Sequence, residues 1–272
     1  LETSLVKRST DVTNARTLDM LRTAMGPVIT EALDNPDVIE IMVNPDGRLW
    51  LDKIGTGRFD TNSRLEPDEA ERVVRLVASH IHQDVTAFSP IVSAELPGNG
   101  ERFEGVIPPV VTAPCFSIRK GAVSIFSLGD YVDAQTMTAV QAEALRYAVS
   151  SRQNILIVGG TSSGKTTLAN ALLAEVSGTG DRVLILEDTR ELQCKAEDTV
   201  ALRTHGQNVK LSDLVRSTLR LRPDRIIVGE VRGPEALDML KAWNTGHPGG
   251  IATVHANSAK AGLSRIEQLI LE

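Results

Sequence analysis

Alternating apolar and polar residues mark the first part of the chain. The alternation runs over Ile39–Val43 and again over Arg48–Asp52, with Asn-Pro-Asp-Gly between the two segments. A period of two residues is typical of a strand with one buried face, and Pro45 and Gly47 suit a tight turn. The pattern therefore predicts a β-hairpin. Further short strands are expected at residues 91–95, 102–107 and 115–119.

Helical periodicity accompanies these strands. Apolar residues three or four positions apart predict helical turns over residues 18–33, interrupted near Gly26 and Pro27, and a helix that begins at Pro67. Together these elements predict a small α+β N-terminal domain over residues 1–119. Residues 120–130 have no clear period and are interpreted as a linker.

The second part, residues 131–272, has a different pattern. Short runs that are almost entirely apolar, at 155–158, 183–187, 225–230 and 251–255, alternate with helical segments. Strands buried on both faces and separated by helices predict a largely parallel α/β sheet with helices on both sides. In such a sheet ligands bind beyond the carboxyl ends of the strands, so polar residues that end a strand are candidates for chemistry.

One strand end carries a phosphate-binding motif. After Val158 the chain reads Gly-Gly-Thr-Ser-Ser-Gly-Lys-Thr-Thr and then enters a helical pattern, which satisfies G-x-x-x-x-G-K-[ST] between a strand and a helix. Lys165 is expected to reach the β- and γ-phosphates and the Thr166 hydroxyl to complete Mg²⁺ coordination. The protein is therefore predicted to bind a nucleoside triphosphate. The expected phosphate-contacting residues are Gly160, Thr161, Ser162, Ser163, Gly164, Lys165, Thr166 and Thr167.

Acidic residues end two other strands. Glu187 and Asp188 follow one apolar run, and Glu230 ends the next. Phosphate-loop NTPases commonly place an aspartate for magnesium where this chain has Gly229, so the Glu187-Asp188 pair is the expected replacement. Strands that simply end in solvated acids are the structural alternative.

Two histidines bracket the last strand. His247 precedes it and His255 ends it, with Thr253 between them, and donors there are expected near a γ-phosphate. A lone histidine is more often structural, and two histidines do not make a metal site.

Composition narrows the possible functions. The chain has 272 residues, a net charge of −6 and 3% aromatic residues, which argues against a large nucleic-acid surface or base-stacking platforms. No direct sequence-specific nucleic-acid binding is expected. The two cysteines have no zinc or disulfide spacing and fit a reducing, cytosolic compartment. No apolar run approaches the ~18 residues that span a bilayer.

The motifs together closely resemble the secretion ATPases of type II, type IV and pilus machines. Besides the phosphate loop they are the Leu-Glu-Asp-Thr-Arg-Glu-Leu box, Arg-Pro-Asp-Arg-Ile-Ile-Val-Gly-Glu-Val-Arg-Gly, and Thr-Gly-His-Pro-Gly with Thr-Val-His-Ala-Asn. The run Leu-Lys-Ala-Trp-Asn-Thr-Gly-His-Pro-Gly-Gly is most similar to the TrbB-like conjugal-transfer branch. The resemblance covers the second domain strongly and the first moderately.

The resemblance implies a RecA-like motor domain after a smaller α+β domain, assembled as a hexameric ring that uses ATP and Mg²⁺ at the cytoplasmic face of the inner membrane. It implies that Glu230 orients or activates the attacking water and that Glu187 assists; both are expected near magnesium, directly or through water. His247 and His255 belong to the His box, and Arg102 and Arg119 match family arginines that approach the γ-phosphate. Partners would be components of an inner-membrane secretion or conjugation complex.

Two other functions remain open at this stage: a RecA-like nucleic-acid translocase or helicase, and a nucleotide-gated scaffold in which turnover is incidental. The end of the chain adds one further expectation. Apolar residues form a helical stripe with no stop signal after it, so a C-terminal part that covers the stripe is expected to follow Glu272. The stripe consists of Leu263, Ile266, Leu269 and Ile270.

Overall fold

The computed structural model describes residues 2–121, 125–161, 163–205 and 208–272, with side chains from residue 17 onward. The chain forms two compact units, Leu1–Val123 and Ser124–Glu272. Each unit has its own sheet and its own hydrophobic core.

The first unit is an antiparallel sheet with two helices. Its elements are α1 (Glu2–Asp34), β1 (Val38–Val43), β2 (Arg48–Lys53), β3 (Gly57–Arg64), α2 (Pro67–His80), β4 (Ile91–Glu95), β5 (Arg102–Val106) and β6 (Cys115–Arg119). The strand order is β3-β2-β1-β6-β5-β4, and each neighbouring pair is antiparallel. Apolar residues of both helices and of the strands form one core. The unit therefore has the predicted α+β architecture.

Local signals in this unit agree with the structure, with one exception. The β1–β2 hairpin is confirmed, and α1 is kinked at Gly26, whose φ of 76° is non-helical, just before Pro27. Strand β3 is absent from the sequence-based prediction. Its sequence is largely polar because it is an edge strand with little buried surface, so it has no apolar alternation to detect.

The second unit alternates strands and helices. Its elements are α3 (Leu128–Asp133), α4 (Ala139–Ser150), β7 (Ile155–Gly159), α5 (Lys165–Val176), β8 (Val183–Glu187), β9 (Thr199–Arg203), α6 (Leu211–Thr218), β10 (Arg225–Val231), α7 (Glu235–Asn244), β11 (Ile251–His255) and α8 (Ala259–Leu271). The strand order is β7-β11-β10-β8-β9, and each pair is parallel. The predicted parallel sheet is confirmed.

Helices cover both faces of this sheet. Alternate residues of β10 show the division, because Ile226 packs in a core with residues of α6, α7 and α8, whereas Ile227 packs in a core with residues of α3, α4 and α5. The strands are parallel, so their carboxyl ends all lie at one end of the sheet. The phosphate loop follows β7 there, Glu187 and His255 end their strands, and Glu230 is the last residue but one of β10.

Two features differ from the sequence-based expectations. Helix α3 begins at Leu128, inside the segment 120–130 interpreted as a linker, because Ser127 caps it through a bond from the Asp130 N–H (3.1 Å) and Leu128 is fully buried. The stripe on α8 is largely covered within this unit, contrary to the expectation that it lies open, and the expectation that further residues follow Glu272 stays a prediction. Ile266 and Leu269 are buried and Ile270 packs on the same core, so the helix already lays this face on the sheet; Leu263 remains 62% exposed.

Candidate nucleotide-binding site

The loop between β7 and α5 leaves open space beside two of its glycines. Gly164 adopts a φ of 88° at the start of α5, a conformation that favours glycine. A Cβ atom placed on Gly160 or Gly164 would meet nothing within 4 Å, so the backbone faces open space at both positions. The Ser163 hydroxyl donates to the Gly160 carbonyl (2.9 Å), which closes the loop on itself. Ser162 lies outside the described residues.

Lys165 and the first turn of α5 supply positive charge at this loop. The Lys165 ammonium donates to the Gly160 carbonyl (2.8 Å), so it lies along the loop rather than in bulk solvent. The backbone N–H groups that open α5 have no intrahelical partner and carry the positive end of the helix dipole. Thr161 is exposed on the loop, and Thr167 is half-buried in the first turn of the helix. The residues present therefore fit a bound polyphosphate.

Thr166 contacts a carboxylate that the sequence-based analysis did not single out. Its hydroxyl donates to Oε2 of Glu191 (3.1 Å). The Asn170 side chain holds the segment around Glu191, since Nδ2 donates to the Glu191 carbonyl (3.1 Å) and Oδ1 accepts from the Gln193 N–H (2.8 Å). Glu191 lies in the Leu-Glu-Asp-Thr-Arg-Glu-Leu box, which contains three acids. Spacing alone does not tell which of them reaches the Thr166 hydroxyl.

Glu187 is buried and turned toward the backbone of the same segment. Its Oε1 accepts hydrogen bonds from the Glu191 N–H (2.9 Å) and the Leu192 N–H (2.8 Å). Burial raises the pKa of the Glu187 carboxyl to about 7, although these two backbone hydrogen bonds act in the opposite direction. A Cβ on Gly229 would lie 3.0 Å from Cγ of Glu187. A side chain at position 229 would therefore occupy the space of the Glu187 side chain. This is a physical reason for glycine at the position where phosphate-loop NTPases commonly have aspartate.

Glu230 is paired with an arginine two residues further along the chain. Arg232 donates to Oε2 of Glu230 from Nη2 (2.5 Å) and from Nε (3.0 Å). Its Nη1 lies 3.7 Å from Oδ2 of Asp188. Burial acts to lower the pKa of Arg232, but the hydrogen bond to Glu230 and the charges of Glu230, Asp188 and Glu191 outweigh it and raise the pKa. The site thus combines several carboxylates with fixed positive groups.

The structure separates the two histidines. His255 ends β11, is exposed and is in register with Gly159 at the start of the phosphate loop. His247 precedes β11, and its Nδ1 is 3.0 Å from the carbonyl oxygen of Pro223, which precedes β10. His247 therefore lies at the amino end of the sheet, and the expectation that both histidines adjoin the nucleotide is wrong for it. Thr253 donates to the Gly229 carbonyl (2.6 Å) and supports the β10 tip.

Arg102 and Arg119 lie in the first unit on neighbouring strands. The register of β5 and β6 places them directly opposite each other, with Glu95 and Glu40 as the next residues on either side. Like charges directly opposite on a sheet destabilise it. The acidic residues on the outer sides offset part of this repulsion, and the approach of the two arginines to a phosphate stays a prediction.

The fold and the loop together define a phosphate-loop nucleotide-binding protein with a RecA-like second domain. The family model for type II/IV secretion system proteins matches residues 22–272. The conjugal transfer protein TrbB of Rhizobium radiobacter is 49% identical over 259 residues, which cover 94% of this chain and 80% of that protein. The probable conjugal transfer protein TrbB of Sinorhizobium fredii is also 49% identical, and 79% of its length is covered.

A solved structure shows the same fold. The pilus retraction motor PilT with bound ADP matches with a TM-score of 0.65 at 21% identity, over 89% of this chain and 70% of that one. The chain therefore belongs to the type II/IV secretion family of ATP-hydrolysing proteins.

Proposed function

We propose that this protein is the ATPase that powers a conjugation-type, type IV secretion apparatus. The observation that carries the proposal is the convergence at one end of the parallel sheet. Lys165 and Thr166 begin α5, Glu191 contacts Thr166, and Glu230 is the last residue but one of β10. A phosphate cradle surrounded by carboxylates suits hydrolysis better than binding alone. The conjugal-transfer relatives support the biological setting.

Mg²⁺ is the proposed cofactor, and it would neutralise the β- and γ-phosphate charge as the terminal bond breaks. Thr166 would hold it through its hydroxyl, with Glu191 already in hydrogen-bond contact with that hydroxyl. Glu187 and Glu230 would act on it directly or through water. Among the described residues, no group of three or more His, Cys, Asp or Glu forms a ready-made metal site.

Glu230 is the proposed residue that orients or activates the attacking water, and Glu187 assists it. The two carboxyls differ in environment. Glu230 is half-buried beside a guanidinium, whereas Glu187 is 5% exposed with a raised pKa. Glu230 is the better placed of the two for a water molecule, because it is partly exposed, whereas Oε1 of Glu187 already accepts two backbone N–H groups. His255 is the proposed donor near the γ-phosphate.

The assembly proposed from the resemblance is a homohexamer at the cytoplasmic face of the inner membrane, in contact with membrane components of the apparatus. No helix in the described part of the chain is long and apolar enough to cross a bilayer. The proposed attachment is peripheral, through these partners.

The proposal is tested by Lys165→Ala with Lys241→Ala as the control, because Lys241 is exposed on α7 in the same unit. Removing a charged partner of the phosphates should weaken ATP binding by about 10²-fold. Binding of a fluorescent ATP analogue and phosphate release would be measured for both variants. Unchanged affinity and turnover in Lys165→Ala would contradict the proposed function. Turnover that depends on added single-stranded DNA would instead favour a nucleic-acid translocase.

The proposed role of Arg102 and Arg119 is to stabilise charge on the transferred phosphoryl group. Replacement of either by Ala should leave the first unit folded and lower kcat more than ATP affinity, by up to about 10³-fold. Arg58, which lies over the Trp50 ring of the same unit, is the control position. Wild-type turnover in both single variants and in the double variant would reduce the pair to surface residues.

A further inference from the structure

Arg232 lies immediately beyond β10, two residues after Glu230. In an extended segment residues two apart project to the same side, so the sequence Glu-Val-Arg brings the two side chains together. Both hydrogen bonds from Arg232, at 2.5 and 3.0 Å, end on the same carboxylate oxygen, Oε2. Within the described part of the chain, Oε1 of Glu230 receives no hydrogen bond.

The backbone that carries Arg232 is itself fixed. Oε1 of Glu235, a buried residue in the first turn of α7, accepts the N–H groups of Arg232 (2.7 Å) and Gly233 (2.8 Å). Gly233 leaves room for this carboxylate, since a Cβ there would lie 3.1 Å from its Oε2. The guanidinium also has Asp188 on its other side at 3.7 Å. An arginine with an anchored backbone and two anionic neighbours has few orientations to choose from.

We propose that Arg232 is a positioning residue for ATP hydrolysis, which holds Glu230 by Oε2 and leaves Oε1 to take the proton of the attacking water. In that step the water oxygen bonds to the γ-phosphorus, the bond to the β-phosphate oxygen breaks, and Oε1 receives the proton. Arg232 itself makes no contact with the nucleotide in this role. The inference rests on the proposed function of Glu230.

The test compares Arg232→Gln and Arg232→Lys with Arg216→Gln. Arg216 is a matched control because it also pairs with an acid, Asp238 at 3.0 Å, but between α6 and α7. In Arg232→Gln kcat should fall at least about 10-fold, whereas KM and the Kd for an ATP analogue should stay within about 2-fold. Lysine keeps the positive charge but lacks the planar guanidinium with several N–H donors. Arg232→Lys should therefore have a kcat between those of Arg232→Gln and the wild type. Arg216→Gln should retain wild-type kcat and KM.

A double-mutant comparison separates positioning from a merely structural effect. Once Glu230→Gln has removed the base, adding Arg232→Gln should lower the rate no further. The inference would be overturned if Arg232→Gln had wild-type kcat or a higher kcat, the latter meaning that Arg232 restrains hydrolysis. It would also be overturned if Arg232→Gln caused an additional loss of rate in the Glu230→Gln background. If the wild-type protein hydrolyses no ATP, the proposed function fails. If it does and Glu230→Gln abolishes turnover, only the role of Arg232 is being judged.

Discussion

The two ends of the parallel sheet both carry charged residues, but their surroundings differ. At the amino end, Arg225 is 1% exposed and donates to Asp181 (2.5 Å) and to the Val149 carbonyl (2.9 Å). Asp181 also accepts from Thr179 (2.8 Å) and from Arg152. Burial opposes ionisation of Asp181, yet the hydrogen bonds from Arg225 and Thr179 outweigh it and hold the pKa of that carboxyl below its usual range.

At the carboxyl end the charges are not neutralised in this way. Glu187 is as buried as Asp181 but faces backbone N–H groups, with a pKa raised to about 7. Glu230 and Arg232 are partly exposed, and Gly160 and Gly164 of the phosphate loop face open space. At the amino end of the sheet the buried charged groups bond to one another in a complete network. At the carboxyl end charged groups remain for which a bound ligand would supply the missing partner. Both ends carry charged residues. They differ in how these side chains are buried and in which groups they bond.

The comparison predicts its largest effect on stability at the amino end. Arg225→Met would leave the Asp181 carboxylate buried with only part of its compensation, at a cost of about 3–5 kcal/mol in the free energy of unfolding. Urea unfolding measures this cost. Arg216→Met is the control, because its ion pair is exposed and should contribute less than about 1 kcal/mol.

The Arg225→Met variant should leave the nucleotide-binding site intact. Under conditions in which Arg225→Met is fully folded, its kcat and KM for ATP should match those of the wild type, because Arg225 lies at the far end of β10 from Glu230. A loss of kcat in Arg225→Met without a loss in its free energy of unfolding would contradict the distinction between the two ends of the sheet.

A smaller effect is expected from Glu187 as the pH changes. Its pKa is about 7 in the folded state and 4.5 for an ordinary glutamate, so the folded state binds the proton more tightly. Its contribution to stability is therefore present below pH 4.5 and is lost as the pH rises through 7. Glu187→Gln does not titrate, and its free energy of unfolding relative to the wild type should rise over this window by at most about 3 kcal/mol.

Urea unfolding without nucleotide or Mg²⁺, at several pH values between 5 and 8, measures this difference. The wild-type protein, measured in the same buffers, is the reference for each pH value. A constant difference for Glu187→Gln across the range would mean that the Glu187 carboxyl is ionised in the folded protein.

The periodicity of apolar residues predicted much of the fold, because the pattern that identifies a strand or a hairpin lies within a few consecutive residues. The β1–β2 hairpin and the apolar strands β7, β8, β10 and β11 all lie where the apolar pattern places them. The polar edge strand β3 and the short strand β9 were missed, since edge strands bury little surface and depend on a partner strand for definition.

The site was predictable to the level of strand ends but not of contacts. The phosphate-loop motif and the acids Glu187 and Glu230 follow from sequence, because parallel strands bring their carboxyl ends together. Which acid meets Thr166 depends on how the segment after β8 folds back, and Asn170 fixes that through a contact 21 residues away. The position of His247, by contrast, was available from the direction of β11, since a residue before a parallel strand lies at its amino end.

The central claim is that the carboxyl end of the sheet hydrolyses ATP with Glu230 at the attacking water. The most direct measurement is single-turnover hydrolysis of ATP by Glu230→Gln beside Glu187→Gln, with analogue binding measured on the same samples. The account predicts that Glu230→Gln binds ATP with near wild-type affinity and hydrolyses it about 10²-fold more slowly or worse, with a smaller loss in Glu187→Gln. Wild-type hydrolysis in Glu230→Gln, or a larger loss in Glu187→Gln, would contradict it.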